Sequence, residues 1–209
     1  MSNIKIFNVQ VYGIREALIR AKYPMETLVN EDMSRDYRQI VDLLDLGSRL
    51  GGSAIGHGDD KFLRQIMVGF DVLAPRYWWA QFDTYGVFTT KNSQSTMHKG
   101  KALDYDLLAN QYVDPFILAR FKELVAQYEV DPTTDNLLKV KSNLPEGIRL
   151  AAGITTNYAQ LKTIYYQRKN HRLPEWHDFC DWIASLPYAG VLKVTAKYAT
   201  TCVAKEGKI

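Results

Sequence analysis

The stretch FLRQIMVGFDVL, residues 62–73, has the clearest pattern in the chain and most limits how the chain can fold. In an extended backbone successive side chains point to opposite faces, so Ile66, Val68, Phe70 and Val72 share one face. The opposite face is also partly apolar. The pattern predicts a strand over 62–73 that is buried on at least part of both faces and therefore needs other elements packed over it.

Pro75 ends this strand, and proline is favoured in the first turn of a helix. Four aromatic side chains follow within seven residues, at Tyr77, Trp78, Trp79 and Phe82. The sequence predicts a short aromatic helix here. Its rings belong either to the core or to an interface of a homo-oligomeric structural protein, where aromatic residues are enriched.

Apolar spacing predicts the remaining elements. Strands are predicted over 3–12, with a bulge where the alternation slips, and over 190–204, which is strand-like or frayed. Helices are predicted over 14–22, 32–50, 114–129, 134–140, 149–169 and 173–186. No linker or repeat divides the chain, so we expect one domain over 1–209 of the α+β class, with a few long strands packed against helices and a helical C-terminal half.

Composition excludes several classes of protein. The 209 residues are 46% hydrophobic and 23% charged, as in an ordinary globular domain. The balance of 26 basic and 23 acidic residues gives a net charge of +3, too small for a dedicated nucleic-acid surface. No apolar window is long enough to span a membrane, and Cys180 and Cys202 form no C-x-x-C pair. We expect a soluble cytoplasmic protein with reduced thiols.

The segment GSRLGGSAIGHG, residues 47–58, has five glycines in twelve residues. It lacks the Gly-Lys-Ser/Thr ending of a P-loop. The glycines indicate either a plain connector or a loop that brings backbone amides close to a ligand.

The segment TTKNSQSTMHKGK, residues 89–101, is dense in Ser, Thr and Asn. It is either a solvated loop or a site whose donors and acceptors read the edges of a pyrimidine ring and a sugar. Its candidates are Asn92, Ser93, Ser95, Thr96 and His98.

A second candidate lies on the helix predicted over 149–169. Asn157, Leu161, Ile164 and Arg168 recur at helical spacing, so Asn157 and Arg168 share a face about 16 Å apart along the axis. Either Arg168 pairs with a carboxylate at the edge of an apolar stripe, or the two polar side chains form part of a binding site.

Other catalytic patterns are missing from the sequence. No acid pair, Cys-His couple or Ser-His-Asp order stands out, and His171 and His177 are six residues apart, which does not suit metal binding from one helix face. We expect no metal site.

Several features occur in a recognisable order. A Gly-His loop precedes a strand, an Ala-Pro pair, a Gln, an Asn-x-x-Ser loop, a basic residue before Leu-Pro, and an Asn followed eleven residues later by an Arg. In this order the chain, from about residue 45 to about residue 170, resembles the flavin-dependent thymidylate synthases. Those enzymes methylate dUMP with FAD, NADPH and methylenetetrahydrofolate. The chain also resembles uncharacterised bacteriophage proteins that carry a Ser-Thr-Met-His stretch.

The resemblance rests on intervals as well as order. Gln81 lies six residues after Pro75, as in the family. Lys141, Pro145 and Asn157 repeat the family's spacing of a nucleotide-binding basic residue, a Pro and an Asn.

The resemblance implies functions for these residues. Lys141 and Arg168 would hold the phosphate, Gln81 and Asn92 would orient the base, and Ser95 would be the catalytic residue near the reacting carbon. It implies further substrate contacts from Ser93, Thr96 and His98, and cofactor contacts from His57, Thr84, Tyr85 and Asn157. The flavin would carry the hydride or the methylene, so no protein nucleophile is needed. A homotetramer with sites between subunits is also implied.

The chain departs from the family at its arginines. Residues 84–86, TYG, stand in place of the family's Arg-His-Arg, Met97 and His98 replace an Arg-Tyr pair, and Ala159 replaces a flavin-contacting Arg. Each lost guanidinium removes charge-assisted bonds of about 1.5–3 kcal/mol. These departures leave an alternative function open: a nucleotide-binding or protein-interaction protein that kept the scaffold without the flavin chemistry.

Overall fold

A four-stranded antiparallel sheet organises the part of the chain that the computed structural model describes, residues 3–27, 39–55, 57–96 and 102–196. Its strands are β1 (Lys5–Tyr12), β2 (Met67–Pro75), β3 (Thr90–Ser93) and β4 (Arg149–Asn157). They lie in the order β1-β2-β4-β3. The two long central strands pair along their whole length, from Met67 opposite Asn157 to Pro75 opposite Arg149.

The described ranges also contain helices. They are α1 (Ile14–Arg20), α2 (Ile40–Gly51), α3 (Arg76–Phe82), α4 (Tyr105–Leu108), α5 (Pro115–Val130), α6 (Thr134–Asn143), α7 (Tyr158–Arg168) and α8 (Pro174–Ser185). Short 3₁₀ helices cover Tyr23–Met25, Gly58–Gln65 and Ala189–Leu192. None of the helices in the described ranges is both long and apolar enough to cross a membrane.

An aromatic cluster packs on one face of the sheet. Val68, Phe70 and Val72 of β2 are buried there. The ring of Trp78 lies 4.9 Å from that of Trp176 on α8, with further aromatic rings around both. Such ring pairs contribute about 0.5–1.5 kcal/mol each beyond the area that they bury. The rings of α3 and α8 thus form the centre of the core.

A second, smaller cluster lies between α5 and α6 and includes the buried Phe121 and Val140. Leu150 at the start of β4 packs against both clusters, so the described elements form one folded unit. The chain is therefore α+β as expected, with helices dominating its C-terminal half.

A buried ion pair joins α7 to the segment after α2. Lys162 Nζ donates to Asp60 Oδ2 at 2.7 Å and to the carbonyl oxygen of Ser53 at 2.7 Å, and both charged side chains are almost fully buried. A buried charge requires such a partner, because an isolated one is strongly disfavoured in the interior.

The glycine-rich segment 47–58 begins inside the helix α2 and not as a connector. Gly47 and Gly51 lie within α2, and a Cβ on Gly51 would come within 1.8 Å of the Val191 carbonyl oxygen. Close packing between α2 and the chain near Val191 accounts for this glycine without a ligand.

The structure corrects four predictions of secondary structure. The strand predicted over 62–73 begins only at Met67, because the preceding residues form a 3₁₀ helix that buries Phe62 and Leu63. The helix predicted over 149–169 is a strand followed by a helix, because residues 149–157 pair with β2. Part of the polar segment 89–101 is the strand β3, paired with β4. The strand predicted over 190–204 begins instead as a 3₁₀ helix, and residues from 197 onward lie outside the described ranges.

The other predicted elements are confirmed where the structure describes them. The strand over 3–12 is β1, and its register shifts between Phe7 and Gln10, as the predicted bulge requires. Helices α1, α3, α5, α6 and α8 match their predictions within a few residues, and the helix predicted over 32–50 is described from Ile40 onward.

Candidate functional site

Arg168, the last residue of α7, stands at the centre of a group of polar and aromatic side chains. Its guanidinium carbon lies 4.8 Å from the ring centre of Trp176 and 5.4 Å from that of Tyr85. Its Nε donates to the Tyr85 hydroxyl at 2.7 Å, and its Nη1 donates to Gln81 Oε1 at 3.3 Å. Cation–π contacts and two hydrogen bonds hold the guanidinium in one orientation.

No carboxylate in the described ranges lies within ion-pair distance of Arg168. The interpretation of Arg168 as a residue paired at the edge of an apolar stripe therefore does not hold in the described structure. Its Nη2 also has no partner among the described residues. A half-buried guanidinium with unused donors favours an acceptor or an anion.

Gln81 of α3 and Trp176 of α8 complete this group. Trp176 is fully buried, and its Nε1 donates to Gln81 Oε1 at 2.9 Å. The Tyr85 hydroxyl, which accepts from Arg168, donates to Gln167 Oε1 at 3.0 Å. We call Gln81, Tyr85, Arg168 and Trp176 the arginine cage.

A second group forms around Lys141 on α6. Its Nζ donates to Thr96 Oγ1 at 2.8 Å. Burial, and to a smaller extent the charge of Arg76, lowers the pKa of Lys141. Arg76 itself is held by the Leu144 carbonyl at 2.7 Å and by Glu146 at 3.3 Å. Arg76 thus already has an anionic partner in Glu146, whereas an anion bound beside Lys141 would favour the ammonium form of this lysine. We call Thr96 and Lys141 the lysine group.

The remaining predicted substrate residues lie near β3. Asn92 and Ser93 are exposed on this strand, paired with Gly153 and Ala152 of β4. Ser95 is half-buried and directly precedes Thr96 in the chain. His98 lies outside the described residues.

The predicted cofactor residues are dispersed. Asn157 is buried, and its Oδ1 accepts from the backbone N–H of Gln160, so it caps α7. His57 is exposed at the start of the 3₁₀ helix Gly58–Gln65. Within the described ranges no hydrogen bond joins either residue to the arginine cage, and their cofactor role stays a prediction.

The segment at 84–86 does not fit a flavin diphosphate. The Thr84 hydroxyl donates to the Gln81 carbonyl at 2.7 Å, and the Tyr85 hydroxyl is bonded to Arg168. Gly86 adds no side chain. This segment offers no positive charge, and its two hydroxyl groups already have partners within the chain.

A metal site is not found in the described ranges, where no three His, Cys, Asp or Glu side chains come together to hold an ion.

Cys180 is expected to be an unreactive thiol in the folded protein. Burial, with the charge of Asp181 as a smaller contribution, raises the pKa of Cys180 to about 12. Since the thiolate is the reactive form, a shift of this size lowers its population at neutral pH by about a thousandfold. Iodoacetamide labelling followed by peptide mass mapping should leave Cys180 unlabelled at pH 8 and label it in denaturant. Rapid labelling of the folded protein would contradict this prediction.

Sequence reasoning missed Trp176 and Arg76. Trp176 follows Leu173-Pro174-Glu175 at the start of a predicted helix, where a tryptophan indicates burial and nothing more specific. Arg76 directly follows Pro75 and carries no motif. Only the pairing of β2 with β4 places it beside the loop that precedes β4.

Comparison with known proteins supports the fold. No protein-family model matches the chain, and no curated protein matches it. Two crystal structures of thymidylate synthase X from Helicobacter pylori, each with FAD and dUMP, are similar to it. The first has a TM-score of 0.67 and 14% sequence identity, and the match covers 90% of this chain and 96% of the other. The second has a TM-score of 0.66 and 13% sequence identity, and the match covers 88% of this chain and 94% of the other. The chain therefore has the fold of the flavin-dependent thymidylate synthases.

Proposed function

We propose that this protein binds a pyrimidine deoxynucleotide such as dUMP on its thymidylate synthase-like scaffold. The arginine cage carries the proposal, since Arg168 has unused donors and no carboxylate partner within the described residues. A pyrimidine nucleotide offers carbonyl and phosphate oxygens, the acceptors that such a guanidinium binds best.

The lysine group supplies the second half of the proposed site. Lys141, with the Thr96 hydroxyl bonded to it, would hold the phosphate, and the charge of Arg76 lies near enough to lower the pKa of Lys141. Ser95 precedes Thr96, and Asn92 lies on β3 of the same segment. This arrangement supports the prediction that residues 92–96 contact the sugar and base.

No hydrogen bond or ion pair of the described residues joins the arginine cage to the lysine group. We therefore propose a homo-oligomer, a tetramer by the family resemblance, in which one copy's arginine cage completes a site with the lysine group of another. Light scattering tests this assembly, and a strict monomer that still binds dUMP would contradict the shared site.

Thermal-shift measurements test nucleotide binding. A ligand at one hundred times its dissociation constant stabilises the folded state by about 2.7 kcal/mol. We expect stabilisation by dUMP and little by dAMP at the same concentration, since a purine is too large for a pyrimidine site. Equal shifts with both nucleotides, or no shift with any mononucleotide, would contradict the proposal.

A second candidate function is methylation of the bound pyrimidine with FAD, NADPH and methylenetetrahydrofolate. It is favoured by the likeness to structures that hold FAD and dUMP. It requires a flavin site other than residues 84–86. Flavin absorbance of the purified protein and tritium release from dUMP labelled at carbon 5 test it. A colourless protein that binds dUMP and does not retain added FAD would support the non-catalytic function instead.

In the enzymatic candidate Ser95 is the proposed catalytic residue. Its replacement by alanine should then reduce tritium release at least tenfold while dUMP still binds, because one hydroxyl contributes little to ground-state affinity. Equal release from both proteins would contradict the role of Ser95.

The affinity for dUMP is expected to fall at a lower pH than it would if Lys141 had the pKa of an ordinary lysine. Burial and Arg76 lower the pKa of Lys141, so the ammonium form that binds phosphate is lost as the pH rises through that lowered value. Bound phosphate favours the ammonium form, and the complex should therefore take up a proton in this window. Calorimetric titrations between about pH 7 and about pH 10 measure both effects.

Lys141→Arg is the matched control, since a guanidinium stays charged throughout this range. The uracil ring of dUMP titrates in the same way in both experiments. The difference between the two proteins in how affinity changes with pH therefore isolates Lys141. The same decline of dUMP affinity with rising pH in the wild-type protein and in Lys141→Arg would show that Lys141 does not bind the phosphate.

A further inference from the structure

The amide of Gln81 has an orientation that its neighbours dictate. Gln81 Oε1 accepts from Trp176 Nε1 at 2.9 Å and from Arg168 Nη1 at 3.3 Å. Indole and guanidinium nitrogens are donors only, so the oxygen of the amide must face both of them. The reverse orientation would place the amide NH₂ against two donors.

This orientation leaves Gln81 Nε2 as the unused end of the amide. No acceptor among the described residues bonds to it. The arginine cage therefore offers only donors to a ligand, from Gln81 Nε2 and from the free nitrogen of Arg168. A donor-only site binds an oxygen acceptor and leaves a ligand NH₂ group without a partner.

Trp176 contributes the shorter of the two bonds and is held rigidly. It is fully buried, with its ring 4.9 Å from that of Trp78 and 5.8 Å from that of Phe179. The indole cannot turn away without disturbing the core. Without its N–H, only the longer bond from Arg168 would keep the Gln81 oxygen in place.

We infer that Trp176 is a positioning residue that fixes the Gln81 amide, so that the site selects the carbonyl at position 4 of uracil over the amino group of cytosine. The inference rests on the proposed nucleotide function and adds the basis of base selection. Uracil presents an acceptor at this position, whereas cytosine presents a donor that would meet the donors of the arginine cage.

The experiment measures dissociation constants of dUMP and dCMP by calorimetry for the wild-type protein and three variants. The wild-type protein should prefer dUMP by about a hundredfold, since buried polar groups left unpaired strongly penalise the wrong ligand. Trp176→Phe keeps an aromatic ring and removes the N–H, and should reduce the preference below about tenfold. Trp182→Phe, on the same helix and without a hydrogen bond to Gln81, should leave the preference unchanged.

Gln81→Glu provides the decisive variant, because a carboxylate presents acceptors at both ends. Its preference should reverse toward dCMP. A general loss of folding would weaken the binding of both nucleotides equally and would not change the ratio of their dissociation constants. If the wild-type protein binds dUMP and the ratio of the dCMP and dUMP dissociation constants is unchanged in Trp176→Phe and Gln81→Glu, the inference is overturned and the proposed function stands. Failure of the wild-type protein to bind any pyrimidine nucleotide would overturn the proposed function, and the inference with it.

Discussion

Arg168→Ala is expected to weaken dUMP binding by about 100- to 1,000-fold. The substitution removes a charge whose unused donors face no other partner in the described structure. Hydrogen bonds to a charged group contribute about 1.5–3 kcal/mol each, and loss of two at the lower end of that range, about 3–4 kcal/mol in total, corresponds to this change in affinity. Isothermal titration calorimetry of both proteins with dUMP measures the change.

Two further variants separate this effect from a general loss of charge. Arg168→Lys keeps one positive charge without the planar fork, so we expect only partial recovery of affinity. Arg120→Ala removes an arginine from an exposed pair with Glu123 on α5 and should change affinity less than twofold. Unchanged dUMP binding in a folded Arg168→Ala protein would show that the arginine cage is not the nucleotide site.

Trp78→Ala is expected to lower the free energy of unfolding by about 3–5 kcal/mol, the range for large aromatic side chains removed from a core. Trp78 is fully buried, and its ring lies within about 5.5 Å of four other aromatic rings in the central cluster. A cavity at this point would remove contacts from α3, α8 and the sheet together. Urea unfolding followed by circular dichroism measures the loss.

Trp78→Phe is the informative companion variant. The Trp78 indole N–H is buried and has no partner among the described residues, an arrangement that costs about 1–3 kcal/mol. Phenylalanine removes that unpaired donor and keeps most of the ring, so its destabilisation should be well below that of alanine. Phe116→Ala, at a side chain that is 86% exposed, should change stability by less than about 0.5 kcal/mol. Equal losses in all three variants would contradict a core centred on Trp78.

The core and the candidate site share the same two helices. Trp78 and Gln81 are three residues apart on α3, and Trp176 of α8 contacts both the Trp78 ring and the Gln81 amide. Side chains three apart on a helix lie on neighbouring positions. The aromatic core therefore holds the arginine cage rigidly, which reduces the ordering that ligand binding would otherwise require.

Local pattern was sufficient where an element's own residues decide its structure. The helix over Pro115–Val130 begins at Asp114, whose side chain accepts from two backbone N–H groups in the first turn, and this cap can be read from Asp-Pro alone. The spacing of Pro75 and Gln81 likewise pointed to the fold that the structural comparison confirms.

Pattern failed where long-range pairing decided the structure. Residues 149–157 have a spacing compatible with a helix, yet they extend because β2 and β3 satisfy their backbone groups on both sides. The predicted roles of Asn92, Ser95, Lys141 and the other site residues stay predictions, since sequence spacing says nothing about which side chains meet.

From its residue order alone, this chain specifies an α+β domain and an aromatic helix after Pro75, because short-range periodicity and caps encode such features. Tertiary packing alone joins Gln81 to Arg168 across a sequence separation of 87 residues and adds Trp176, which donates to the same Gln81 oxygen. The physical reason is that a half-buried guanidinium without a carboxylate is stabilised where aromatic faces and amide oxygens converge on it. Those partners come from α3, α7 and α8, which approach one another only once the sheet and its core have formed.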